Sequence, residues 1–127
     1  MERKILMNRK LLICDDDVDI VEMLEIVLDD SELEVITEVD SKKVLQVIAD
    51  IRPDLVLMDL WMPVVTGDEV LRHMREDKKL TAIPVLIMSA AQDGRKIAME
   101  AGANGYISKP FDVSNLIQKV NELISSN

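Results

Sequence analysis

Aromatic side chains are scarce in this chain of 127 residues: 2%, as one Trp, one Tyr and one Phe. Any core must therefore be aliphatic, built from Leu, Ile, Val and Met, with the methionines as filler rather than a binding stripe. The single cysteine, Cys14, excludes an internal disulfide. Inside an apolar run it reads as a small buried hydrophobe and fits a reducing, cytoplasmic compartment. An excess of basic charge is also missing. The formal net charge of -9 works against direct nucleic-acid binding, which needs a basic footprint to displace counterions. The short basic group Arg3, Lys4, Arg9 and Lys10 reads as a charged terminus. No segment is long and apolar enough to cross a membrane. The opening residues do not form a signal peptide, because their apolar stretch is short, split by Asn8-Arg9-Lys10 and followed by aspartates. There is no internal repeat, low-complexity tract or linker. At 48% hydrophobic and 31% charged, the chain reads as one globular domain over residues 10–127, preceded by an N-terminal extension over 1–9.

What is present is an alternation. Extended candidates lie near 10–14, 33–37, 54–58, 83–88 and 105–108. Between them run helical stripes: Ile20, Met23, Leu24, Val27 and Leu28; then Val44, Ile48 and Ile51; then Val70, Leu71 and Met74. The stripe Val113, Leu116, Ile117, Val120, Leu123 and Ile124 is the clearest, and the helix around Ile97, Ala98 and Ala101 the weakest. Thr66 and Glu69 have capping-box spacing, Asp112 suits an N-cap, and Gly102 stands where the fourth helix should stop. Five strand–helix units imply an α/β fold with a parallel sheet covered on both faces. Strands 1, 3 and 4 are continuous apolar runs, as strands buried on both sides should be, whereas strands 2 and 5 suit the edges. Right-handed crossovers then give the order 2-1-3-4-5, with its switch point between strands 1 and 3.

The strand ends carry the chemistry. Leu11-Leu12-Ile13-Cys14 runs into Asp15-Asp16-Asp17, Leu55-Val56-Leu57-Met58 into Asp59, Val85-Leu86-Ile87-Met88 into Ser89, and Tyr106-Ile107-Ser108 into Lys109-Pro110. Taken singly, each has a plain reading: a helix N-cap, a loop hydroxyl, a solvated lysine. At one end of four parallel strands they form a site. Crowded carboxylates would raise each other's pKa unless a hard cation joined them, and Mg2+ takes one or two carboxylates while keeping open positions for phosphoryl oxygens. Asp59 then suits a nucleophile in phosphoryl transfer, with Lys109 and Ser89 to hold phosphoryl oxygens. His73, among Arg72 and Arg75, reads as a solvated helix residue.

The stretches Leu12–Asp17, Asp54–Pro63 with Gly67, and Gly102–Phe111 resemble the receiver domain of bacterial two-component response regulators, with a flavodoxin-like three-layer sandwich like that of chemotaxis receivers. The resemblance runs from about residue 10 to the end of the chain. It implies that Asp59 receives phosphate from a histidine kinase or a histidine phosphotransfer protein. It implies Mg2+ (or Mn2+ as a substitute) on Asp15, Asp16, Asp59 and the backbone carbonyl of Trp61. Ser89 is the implied switch hydroxyl, Lys109 the site lysine and Tyr106 the aromatic switch. Together they would alter the face formed by helix 4, strand 5 and helix 5, toward a downstream protein or a fused effector; no effector is visible in these residues. Trp61 and Ala91 occupy positions that tune phosphate lifetime. Asn104 and Gly105 replace an acidic pair common in relatives that drive winged-helix effectors, which argues against that dimer. Two other classes stay open: a Mg-dependent aspartyl-phosphate phosphatase, which would want a carboxylate where Trp61 stands, and a scaffold that is not phosphorylated. The expected protein is a phosphoacceptor catalysing its own phosphorylation and autodephosphorylation, not an enzyme with a separate substrate.

Overall fold

A computed structural model describes residues 8–30 and 32–125. Five strands, β1 (Arg9–Cys14), β2 (Leu33–Glu38), β3 (Leu55–Asp59), β4 (Val85–Ser89) and β5 (Gly105–Ser108), alternate with five helices. These are α1 (Val18–Val27), α2 (Ser41–Ile51), α3 (Gly67–Glu76), α4 (Gly94–Ala101) and α5 (Val113–Ser125). All strands pair in parallel, in the order β2-β1-β3-β4-β5. β1 opens one residue earlier than the sequence pattern suggests, because Arg9 pairs with Leu33. Residues 1–7 of the expected extension lie outside the described residues, as do Arg3 and Lys4.

Strand periodicity builds two cores. Leu12, Cys14, Val56, Met58 and Ile87 face α2, α3 and α4. Their neighbours Leu11, Ile13, Leu55, Leu57, Leu86 and Met88 face α1 and α5. β3 and β4 are buried at every position, whereas no residue of the edge strand β2 is fully buried. In α1 and its C-cap the deepest residues are Val21, Leu24 and Leu28; Val21 is absent from the predicted stripe, and Ile20, Met23 and Val27 pack at the margin. Val113, predicted to belong to the α5 stripe, is 40% exposed.

The expected punctuation is in place. The Asp17 carboxylate accepts from the backbone N–H groups of Asp19 and Ile20, and Asp112 accepts from that of Ser114. Glu69 accepts from the Thr66 N–H at 3.0 Å. α4 ends at Gly102, whose φ is 106°.

One tether was not foreseen. Arg75, near the end of α3, donates Nε to the Gly102 carbonyl (2.9 Å), Nη1 to the carbonyls of Ile83 (2.9 Å) and Thr81 (3.1 Å), and Nη2 to Asn104 Oδ1 (2.8 Å). Asn104 Oδ1 also accepts from the Val85 N–H at 2.8 Å. One planar fork therefore ties the end of α3 to the entrance of β4 and to the corner between α4 and β5. Burial holds the guanidinium below its ordinary pKa. Arg75→Ala should cost about 2–3 kcal/mol in urea unfolding, the scale of losing hydrogen bonds from a charged donor. Arg75→Lys should recover less than half of it, since an ammonium cannot reproduce the fork.

Candidate functional site

The site follows from strand register. Cys14 is level with Met58, so the next residues, Asp15 and Asp59, leave the sheet side by side. Asp59 is level with Met88, one residue before Ser89, and Ser89 is level with Ser108, one residue before Lys109. The Lys109 N–H donates to the Ser89 carbonyl at 2.9 Å, so the register holds as the chain leaves β5. Parallel pairing thus gathers at one end of the sheet four groups scattered along the chain.

Lys109 Nζ lies 2.9 Å from Asp15 Oδ2 and 3.0 Å from Asp59 Oδ1. Asp15 and Asp59 are buried, while Asp16 is exposed at the mouth. Carboxylate oxygens of Asp15, Asp16 and Asp59 lie within 4.8 Å of one another, a set that can hold one hard cation. Burial raises the Asp59 pKa above its ordinary 3.8; the Lys109 hydrogen bond opposes this and the Asp15 charge adds to it. For Lys109, burial disfavours the charge, but the hydrogen bonds to Asp15 and Asp59 outweigh it and raise the pKa. The ammonium therefore stays charged at neutral pH. Cys14, one residue before Asp15, is fully buried, and that burial first of all pushes its thiol far up. It belongs to the core, as expected.

The segment after β3 is fixed from two directions. At Gly67, the first residue of α3, a Cβ would lie 2.5 Å from the Asp59 carbonyl oxygen, so only glycine lets the helix start this close. The Gly67 N–H donates to the Leu60 carbonyl at 2.8 Å. Between these anchors Val65 N–H donates to the Pro63 carbonyl at 2.8 Å, closing a three-residue γ-turn around Val64 at φ 71°. A β-branched residue there is strained. The buried Ser41, at the start of α2, holds the turn: its hydroxyl donates to the Pro63 carbonyl and accepts from the Val65 N–H. Sequence reasoning missed Ser41, since a serine after the N-cap Asp40 looks like ordinary helix-start chemistry. Trp61 is 50% exposed, and Met62 beside it is buried.

Ser89 is fully buried, and its Oγ accepts from the Ala91 N–H at 3.0 Å. Tyr106 is turned inward, 4% exposed, and its hydroxyl donates to the carbonyls of Ser89 (3.2 Å) and Ala91 (3.4 Å). The Lys109–Pro110 peptide bond is cis. His73 is exposed on α3, on a groove between α2 and α3 that none of Asp15, Asp16 and Asp59 lines.

A doubly wound parallel sheet with three acidic positions and a lysine at its switch point defines a carboxylate centre of the kind used in cation-assisted phosphoryl transfer. The chain belongs to the response regulator receiver domain family, whose model matches residues 11–121. The DNA-binding response regulator MtrA of Mycolicibacterium paratuberculosis is 33% identical over 95% of this chain and 53% of its own length. The chain thus spans about half of that relative. The receiver domain of the Francisella response regulator 1452 superposes with a TM-score of 0.84 at 27% identity, covering 94% of this chain and 98% of that one. The receiver domain of the sensor histidine kinase PA1611 from Pseudomonas aeruginosa, solved with magnesium in its active-site cleft, gives a TM-score of 0.84 at 24% identity, covering 93% and 98%. The predicted α/β class, strand order and family are therefore those of the molecule: a receiver domain of two-component response regulators.

A raised carboxyl pKa means that the folded protein keeps its Asp59 proton at pH values where the unfolded chain has lost it. Stability then falls as pH climbs from about 4 through the raised value. In metal-free buffer, urea unfolding of the wild type should show that fall. Asp59→Asn should flatten it and unfold at higher urea at pH 7.

Proposed function

We propose that Asp59 is the phosphoacceptor of this domain. The observation that carries the reading is the Lys109 ammonium, bonded to both Asp15 and Asp59 within a group of three convergent acidic residues. Lys109 holds Asp59 by Oδ1, which sets the direction of the other oxygen. That oxygen attacks the phosphorus of a phosphohistidine; a P–O bond forms, the P–N bond breaks, and the imidazole leaves as the neutral base after taking a proton. Lys109 and the Ser89 hydroxyl then hold phosphoryl oxygens, each by a bond that strengthens as negative charge gathers on them. Mg2+, or Mn2+ as a substitute, would be held by Asp15, Asp16, Asp59 and the Trp61 carbonyl, and would supply charge neutralisation at the phosphoryl oxygens. Water attack on the acyl phosphate returns the carboxylate and inorganic phosphate. The domain itself thus catalyses both gain and loss of the group, with no separate substrate turned over.

The donor is a histidine kinase or a histidine phosphotransfer protein. An apolar depression lined by Ile20, Met23, Ala90, Pro110 and Phe111 adjoins Lys109 and gives such a donor a surface beside the acceptor. Phosphorylation is read out through α4, β5 and α5 by Ser89 and Tyr106, toward a downstream protein or a fused effector. Asn104, engaged with Arg75 and Val85, and Gly105 stand where an acidic pair would serve the dimer of winged-helix regulators, so output does not use those salt bridges. The net charge of -9 speaks against direct nucleic-acid contact by this domain. Among the described residues no helix is long and apolar enough to cross a membrane, which suits action in the cytoplasm. The receiver occupies residues 10–127, with 1–9 as an extension whose last residue, Arg9, joins β1. Neither rival class has comparable support: Trp61 stands where a phosphatase would want a carboxylate, and a scaffold has no use for the buried Asp15–Lys109–Asp59 group.

With acetyl phosphate and Mg2+, the wild type should shift on a phosphate-affinity gel and Asp59→Asn should not. A wild type that stays unshifted with every donor would leave the scaffold reading standing, and catalytic release of phosphate from added esters would favour the phosphatase. Trp61 and Ala91 flank the path of the attacking water. An indole at that mouth restricts water, so Trp61→Ala should shorten the phosphate lifetime severalfold. An unchanged lifetime would make Trp61 an ordinary surface residue.

A further inference from the structure

We propose that the first turn of α4, through Gly94 and Arg95, positions Tyr106 and sets the fraction of molecules whose ring lies inward. The inference rests on the receiver reading of Ser89 and Tyr106, and it assigns roles to two residues outside the phosphoryl site.

The inward ring has room only because residue 94 lacks a side chain. A Cβ at Gly94 would lie 2.6 Å from the Tyr106 hydroxyl oxygen, and 2.9 Å from both Cβ and Oγ of Ser89. These separations are shorter than non-bonded atoms tolerate, so something must move. Ser89 ends a buried strand, and its Oγ is engaged by the Ala91 N–H. The Tyr106 hydroxyl is the far end of a side chain with two torsions and yields first. On the outer side, the Arg95 guanidinium lies 5.1 Å from the centre of the Tyr106 ring, in cation–π range. One residue thus leaves the space and the next covers the ring.

The same contacts fix α4. Asp93 makes no side-chain cap bond, and the helix has only 8 residues. Its first turn is therefore seated by the Gly94 backbone against Ser89 and Tyr106, rather than by its own capping. When Tyr106 turns out, that turn loses its support, and the output face changes with the ring.

The chain has one tyrosine, so replacing it biosynthetically by 3-fluorotyrosine gives one 19F resonance that reports the ring's surroundings. In the wild type it should stand away from the random-coil position. In Gly94→Ala that still melts cooperatively it should move to within a small fraction of that difference from the coil position. Arg95→Ala should move it part of the way in the same direction, with the outward-to-inward ratio raised about two- to fivefold, as a surface cation–π contact permits. A folded Gly94→Ala with the wild-type resonance overturns the proposal. If Gly94→Ala loses its cooperative melt, Arg95→Ala decides: a shift toward coil supports the proposal, and no shift overturns it. Acetyl phosphate labelling of the same samples keeps the two readings apart. An unlabelled wild type refutes the phosphoacceptor reading alone, whereas an unmoved resonance in labelled protein refutes the role of Gly94 and Arg95 alone.

Discussion

Two carboxylates leave adjacent strands next to each other, largely out of water, and Lys109 makes that tolerable. Burial disfavours the ionised form, the Asp15 charge adds to it, and Asp59 records this as a raised pKa despite the ammonium beside it. The ammonium reaches both acids only if β5 sits beside β4, β4 beside β3 and β3 beside β1, each in its observed register. A slip of one residue in any pair would turn a core side chain to the wrong face and carry an acid or the lysine away from the others. The aliphatic core and the polar end of the sheet thus enforce the same alignment.

Around that rigid end the structure divides its tolerances. The segment after Asp59 is held tightly: Ser41 braces the strained turn at Val64, and Gly67 lets α3 press on the Asp59 carbonyl. Strain of this kind persists only where neighbours over-determine the conformation. On the other side of the site lies a helix held by packing and by its end. α4 is short and lacks a side-chain cap, although Arg75 anchors the corner where it ends. Braced turns surround the acids, and a short helix without a side-chain cap lies beside Ser89 and Tyr106.

Much of this was legible in the residues. Continuous apolar runs announced the three central strands, the polar interruption of Leu33–Thr37 announced an edge, and the residues ending four runs announced the site. What escaped was whatever depends on close approach in three dimensions. Arg75 looks like one more charge on a charged helix until four acceptors are seen around it. Ser41 looks like a helix-start serine and Gly94 like a helix breaker. Periodicity cannot see the backbone of a distant segment within 3 Å. The helical stripe of α1 includes the deep Leu24 and Leu28 but misses Val21, because Ile20 and Val21 are both aliphatic and only packing chooses between them.

The bond from Lys109 to Asp15 joins residues 94 apart, and the bond to Asp59 joins residues 50 apart. Closing such loops spends chain entropy before the contact rewards it, and depends on the intervening chain. A polypeptide still emerging from the ribosome, or one clipped before its last strand, therefore has acids without a counterion and no assembled centre. Assembly of the centre is thereby tied to the arrival of the last strand: the acids wait for their cation until β5 has docked on β4.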